Sequence, residues 1–196
     1  ADAQASAGAT RMMQEYIEPY IFREPFETVL DVGCGIGNLI SRLLQGGYDA
    51  YGIDLPTLSG FWSEGDNDRD RFYCCDATQL PFADDSIDVI ISTGVIEHIG
   101  TGLGNNTLQG DYQIRRQRYA DEILRVCRPG GRILVACPNK SFPIDPQHEV
   151  IDGYNQDNIS TRIRSRIYDK TSLNIHKVWG EYHLLSYREI RQLFCV

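Results

Sequence analysis

A chain of 196 residues with 42% hydrophobic content is long enough to bury one proper core. Its formal net charge of −8 sets the overall field against nucleic acid, which would need a local basic patch, and no run of residues has the apolar length of a membrane span. The opening ADAQASAGAT has neither the basic n-region nor the apolar h-region of a signal peptide, and the six cysteines, Cys34, Cys74, Cys75, Cys127, Cys137 and Cys195, contain no C-x-x-C pair and read as buried, reduced thiols of a cytoplasmic protein.

In chain order, a helix-like segment covers residues 11–22. TVLDV (28–32) is β-branched and apolar, as a buried parallel strand is. NLISRLL (38–44) reads as a helix closed by Gly46 and Gly47. Further strands are expected over 49–54, 71–77 and 86–93, the last apolar on both faces and so central. Residues 115–127 form a helix with Tyr119, Ala120, Ile123, Leu124 and Cys127 on one stripe, RPGG (128–131) ends it, and a fifth strand follows over 132–138. From 139 to 185 no period is sustained, which reads as an insertion over a site. Residues 186–194 return to a helix, with Ser186 and Glu189 as a capping box. Strands alternating with helices at this pitch predict an α/β, doubly wound, mostly parallel sheet.

In such sheets ligands bind beyond the carboxyl ends of the strands. Gly33, Gly35 and Gly37 stand there, straight after the first strand, where missing Cβ atoms allow a tight turn and a close approach. The dinucleotide fingerprint G-x-G-x-x-G is not met, because the third glycine comes one place early and Asn38 holds its position. Asp31, beside the loop, would oppose a pyrophosphate but suits a ligand carrying an ammonium and a sulfonium.

LDVGCGIGN, the GID closing the second strand, CCDATQLPFADDSIDVIIST and RVCRPGGRILVACPN occur in this order over residues 28–139. Together they resemble the class I S-adenosylmethionine-dependent methyltransferases. The resemblance implies S-adenosylmethionine as cofactor, S-adenosylhomocysteine as product and a small-molecule methyl acceptor. It places Asp31 near the methionine amino group. Gly33, Gly35 and Gly37 would line the methionine and ribose, and Asp54 would take both ribose hydroxyls. Leu55 would pack on the adenine, and Asp76 and the Ala77 N–H would meet its polar edge. Thr93 would offer backbone to the methionine end, and Arg11 would clamp the methionine carboxylate. The chain then divides into an N-terminal cap (11–26), a cofactor-binding core (28–138), a substrate-covering insertion (139–185) and a last helix (186–196). Family sheets add a closing hairpin after that helix. This chain stops at Val196, as a truncated chain or part of a longer one would.

Methyl transfer needs a general base only where the acceptor must lose a proton. His98 in GVIEHIG and His148 in IDPQHEV are the candidates; the competing readings are a pocket-shaping His98 and a solvent-facing His148. Glu97, His98 and His148 also resemble the ligands of enzymes that methylate the terminal 2′-hydroxyl of small RNA. Gly94 replaces the first Glu of their E-V-I-E-H element, so no metal ligand is assigned and metal-dependent RNA methylation stays an alternative. A second alternative is a methyltransferase fold that binds the cofactor without transferring methyl. RIRSR (162–166) reads as an exposed face or an anion clamp. The oligomeric state is left open.

Overall fold

The computed structural model describes residues 13–22, 25–63, 69–102, 107–145, 148, 159–176 and 178–194. Arg11 and Cys195 lie outside the described residues. Five strands, β1 (Thr28–Val32), β2 (Asp49–Asp54), β3 (Phe72–Cys74), β4 (Ile87–Thr93) and β5 (Cys127–Ala136), form one sheet in the order β3-β2-β1-β4-β5. β1 pairs in parallel with β2 and with β4, and β2 with β3; Asp31 of β1 lies opposite Gly52 on one side and Ile91 on the other. The order reverses between β1 and β4, which makes the carboxyl end of β1 the switch point.

The chain forms two compact units, residues 1–93 with 118–135 and residues 94–117 with 136–196. In the first, Val29, Ala50, Val89 and Ile91 of the strands pack with Leu39, Ile40 and Leu43 of helix α2 (Asn38–Gln45) and with Ile17 and Ile21 of α1 (Met13–Ile21). α1 is wound as a π-helix around Pro19, a residue that cannot donate to an ordinary helical ladder. α3 (Tyr112–Val126) buries Tyr119, Ala120, Ile123 and Val126. Leu124, expected on that stripe, is exposed, because it flanks the row that Tyr119, Ile123 and Val126 define.

Two boundaries and one strand position differ from expectation. β3 is only Phe72–Cys74, since Arg71 closes a 3₁₀ turn and pairs with Asp49. β5 starts at Cys127 and includes RPGG; a Cβ at Gly131 would come within 2.9 Å of the Asp88 carbonyl, so the run passes through a space only glycine fits. β4 is interior, but β1 is the middle strand. The cysteines are less buried than expected. Among the five described, all free, Cys34 is buried, Cys75, Cys127 and Cys137 are half-buried and Cys74 is exposed.

The 139–185 stretch is more regular than its composition suggested. β6 (Ile144–Asp145) pairs antiparallel with β7 (Asn174–Ile175), and a helix, α4 (Ile159–Thr171), lies between them in the chain. α4 shows no apolar period because it is tethered by polar groups: the Arg164 guanidinium donates to the Ile175 carbonyl and to Asn174 Oδ1. RIRSR therefore lies on a helix. α5 (Tyr187–Leu193) carries the expected capping box, Glu189 N–H donating to Ser186 Oγ at 3.3 Å and Ser186 N–H to Glu189 Oε2 at 2.7 Å. Among the described residues no helix is long and apolar enough to cross a membrane.

Buried Asp88 joins the start of β1 to β5. It accepts the Glu27 and Thr28 N–H groups at 2.6 and 2.9 Å and pairs with Arg128 at 2.6 Å. Asp88→Ala strands two backbone donors and is expected to cost about 2–4 kcal/mol. Urea unfolding with an unchanged slope checks this, and a loss below about 1 kcal/mol would show that water replaces the carboxylate.

Candidate functional site

The chain leaves β1 through three glycines with φ of 82°, 57° and 88° at Gly33, Gly35 and Gly37, all in the left-handed region. Three such residues within five positions fold the backbone into a cup at the switch point. The Gly33 and Cys34 N–H groups both donate to the Ile53 carbonyl, and Gly37 opens α2 as its N-cap. Trp62, stacked on Phe72, braces the loop by donating Nε1–H to the Gly35 carbonyl at 2.8 Å. A Cβ at Gly35 would meet nothing within 4 Å, so the loop has an open side there.

Asp54 ends β2 against this loop. Its Oδ2 accepts the Gly35 N–H and its Oδ1 the Leu55 N–H, both at 2.7 Å. Each oxygen keeps lone-pair capacity for a further donor. Leu55 is 43% exposed beside it. Past β3, the Cys75 N–H donates to the Asp54 carbonyl, which sets Asp76 next in line. Asp76 is exposed and holds its own turn through Thr78 N–H; Ala77 is buried. Thr93 ends β4, after Ser92, whose Oγ accepts from Tyr119.

Asp31 is 5% exposed, and burial, then the charge of Asp54, push its carboxyl up to about 7. Burial and the same two carboxylates push the Cys34 thiol upward, which makes it inert.

The turn beyond Asp76 is held by a clamp that the sequence did not announce. Glu122 of α3 accepts the Leu80 N–H at 2.7 Å. Arg125 donates to the carbonyls of Leu80 and Phe82 and to the carboxylates of Asp84 and Glu122.

The second unit holds a compact histidine cluster. His148 Nδ1 lies 2.9 and 3.0 Å from the two oxygens of Asp145, and its Nε2 lies 3.3 Å from Nε2 of His98. His183 stacks edge-on against His148, with Nε2 3.4 Å from Asp145 Oδ2. Glu97 is fully buried, and neither carboxylate oxygen has a hydrogen-bond partner. Burial pushes its carboxyl up to about 6. Burial, then His148, depress the His98 imidazole; for His148, burial opposes the charge but Asp145 outweighs it and the net shift is upward. Arg116, buried in α3, donates to the carbonyls of Ile99, Glu97 and His183 and so ties the two segments of the cluster together.

Within the first unit, Asp31, the three glycines, Asp54 and Leu55 share one corner, with Asp76, Ala77 and Thr93 at the ends of the neighbouring strands. In the second unit His98 and His148 touch. His148 is half-buried, not solvent-facing, and His98 is the more exposed of the two. Sequence reasoning missed Asp145 and Arg116 and gave His183 no role. An acid three residues before His148 was the one available signal.

A family profile described as a methyltransferase domain matches residues 30–135. A demethylmenaquinone methyltransferase of Beutenbergia cavernae is 31% identical over 133 residues, which cover 67% of this chain and 49% of that protein. The chain spans about half the length, or less, of the curated relatives it matches. Among solved structures, a SAM-dependent methyltransferase from Methanosarcina mazei superposes with a TM-score of 0.55 at 20% identity, over 91% of this chain and 81% of that one. A Haemonchus contortus N-methyltransferase, solved with phosphomonomethylethanolamine and S-adenosylhomocysteine, gives 0.54 at 17% identity, over 98% of this chain and 36% of that one. At these identities the likeness is one of fold.

Proposed function

Because this chain belongs to the methyltransferase-domain family, of the class I S-adenosylmethionine-dependent type, we propose that it moves a methyl group from S-adenosylmethionine to a small-molecule acceptor by in-line displacement, leaving S-adenosylhomocysteine. The observation that carries this reading is the left-handed glycine loop joined to the Asp54 carboxylate through the Gly35 N–H.

When bound, the cofactor supplies a methyl carbon activated by its sulfonium. The residues fit it. The open side of Gly35 admits a ligand against the backbone, and Asp54 has lone pairs left for the two ribose hydroxyls. Leu55 offers an apolar face to adenine, Asp76 and the Ala77 N–H a polar edge, and the Thr93 backbone the methionine end. Arg11 is assigned the methionine carboxylate. Asp31 is assigned the amino group, and His98 and His148, oriented by Asp145, are assigned the acceptor. Transfer by positioning and exclusion of water then asks little more of the protein. A small acceptor is supported by the demethylmenaquinone methyltransferases among the relatives and by the net charge of −8, which disfavours a polyanion.

Labelled S-adenosylmethionine incubated with the protein and cell extract tests the reading. A labelled small molecule is expected. Label in the RNA fraction would transfer the reading to RNA. Adenosylhomocysteine binding with no product in any extract would make the chain a cofactor-binding module.

Asp31 gives the binding a pH dependence. Below pH 7 the buried carboxyl is neutral and has no charge to set against the ligand's ammonium; above it the carboxylate is present. Adenosylhomocysteine is therefore expected to bind about tenfold more weakly at pH 6 than at pH 8, since about a tenth of the groups are ionised at the lower pH. Asp31→Asn should flatten the curve. Calorimetric titration across this range checks it, and a flat curve in the unaltered protein would remove Asp31 from the amino group.

A further inference from the structure

The geometry points to a site for one divalent transition-metal ion, zinc by preference, ligated by Glu97, His98 and His148. Four observations carry it, and none depends on methyl transfer.

Glu97 is the first. A fully buried carboxylate with both oxygens unpartnered is a costly arrangement in a folded chain. Arg116 does not relieve it, because it directs its donors to the backbone carbonyls of Glu97, Ile99 and His183. The ligating atoms of Glu97, His98 and His148 all lie within 4.8 Å of one another, so one ion can reach all three.

The second is the spacing of the two imidazoles. Their Nε2 atoms are 3.3 Å apart, with the rings inclined at 68°. That is longer than the usual N–H hydrogen bond of about 2.9–3.0 Å. It equals the separation of two nitrogens on a tetrahedral zinc, about 3.3–3.4 Å for bonds of about 2.0–2.1 Å.

The third is the layer behind the ligands. Asp145 accepts from His148 Nδ1, which leaves Nε2 as the free ligating nitrogen. A carboxylate behind a histidine fixes the tautomer and strengthens the imidazole as a ligand. His183 Nε2 lies 3.4 Å from Oδ2 of the same Asp145. The fourth is space. A Cβ at Gly94 would meet nothing nearer than Glu97 Oε1 at 3.9 Å, so no other atom crowds the space beside Gly94. Two imidazoles and one carboxylate form a donor set for zinc, cobalt or iron(II), and a poor one for magnesium or calcium.

The experiment is metal uptake by the purified protein after stripping with a chelator. One equivalent of zinc is expected to bind. Cobalt(II) is expected to bind at the same site with the intense visible bands of a tetrahedral centre, and zinc should displace it. Magnesium in excess should not. Glu97→Gln keeps the shape and removes the charge; it should weaken zinc by more than about 100-fold, beyond the 10- to 100-fold range that outer partners give, and Asp145→Asn should fall within that range. Circular dichroism and adenosylhomocysteine binding by the variants show that they fold. No saturable uptake of zinc or cobalt by the unaltered protein would overturn the proposal. So would uptake that Glu97→Gln leaves intact.

Discussion

His148→Asn and His98→Asn should each lower turnover by about 10²–10⁴-fold, while the affinity for adenosylhomocysteine stays within about twofold. The size of the loss follows from how firmly the pair is set. Asp145 holds His148 by Nδ1, and the opposite nitrogen meets His98. Asn keeps polarity but cannot place a nitrogen at that point. The cofactor assignments lie wholly on other residues, so binding of the product nucleoside should be indifferent to either change. The loss is expected whether the imidazoles take a proton from the acceptor or hold an ion that acidifies it, and cobalt uptake separates the two. Turnover reduced by less than about tenfold in both variants would assign an amine or carbon acceptor, for which positioning suffices. Normal turnover in both would remove the histidines from the reaction.

Asp54→Ala is expected to weaken adenosylhomocysteine by about 10- to 100-fold. Two losses combine. The carboxylate would hydrogen-bond to both ribose hydroxyls, each bond to a charged group contributing about 1.5–3 kcal/mol, part of which solvent replaces. It also accepts the Gly35 and Leu55 N–H groups, so its removal loosens the loop that forms the rest of the cup. Asp54→Asn separates them: the amide oxygen can retain one backbone donor, and the remaining deficit then reports on ribose. Calorimetry gives the constants, and an unchanged value for Asp54→Ala would take Asp54 out of the site.

The glycine loop and the acid beside it could be read in the sequence because they are made of local signals. Three glycines after a strand require left-handed backbone whatever surrounds them, and an acid at the end of the next strand in a parallel sheet arrives at the same edge. The histidine cluster could be read only in part. Glu97 and His98 are neighbours, but Asp145, His148 and His183 come from a stretch whose register is set by a two-residue ladder and by Arg164, a polar tether with no periodic trace. Arg116 escaped for a related reason. On an amphipathic helix an arginine ordinarily faces water, and this one is buried because three carbonyls converge on it. RPGG was misplaced because its turn-forming residues outweighed the extended pairing that the sheet imposes.

The clamp of Arg125 and Glu122 on the turn after Asp76 has a consequence in time as well as in space. A polar loop of this kind ordinarily opens and closes cheaply on its own. Here the Leu80 amide and the Leu80 and Phe82 carbonyls are fastened to α3, whose inner face includes buried Tyr119 and Ile123. Opening the loop therefore means dislodging part of a helix, and the Leu80 amide should exchange with solvent at the slow rate of the core rather than the fast rate of a surface turn. A nucleoside that met this edge, as proposed, would find it already ordered. Such binding would then cost little conformational entropy at this turn.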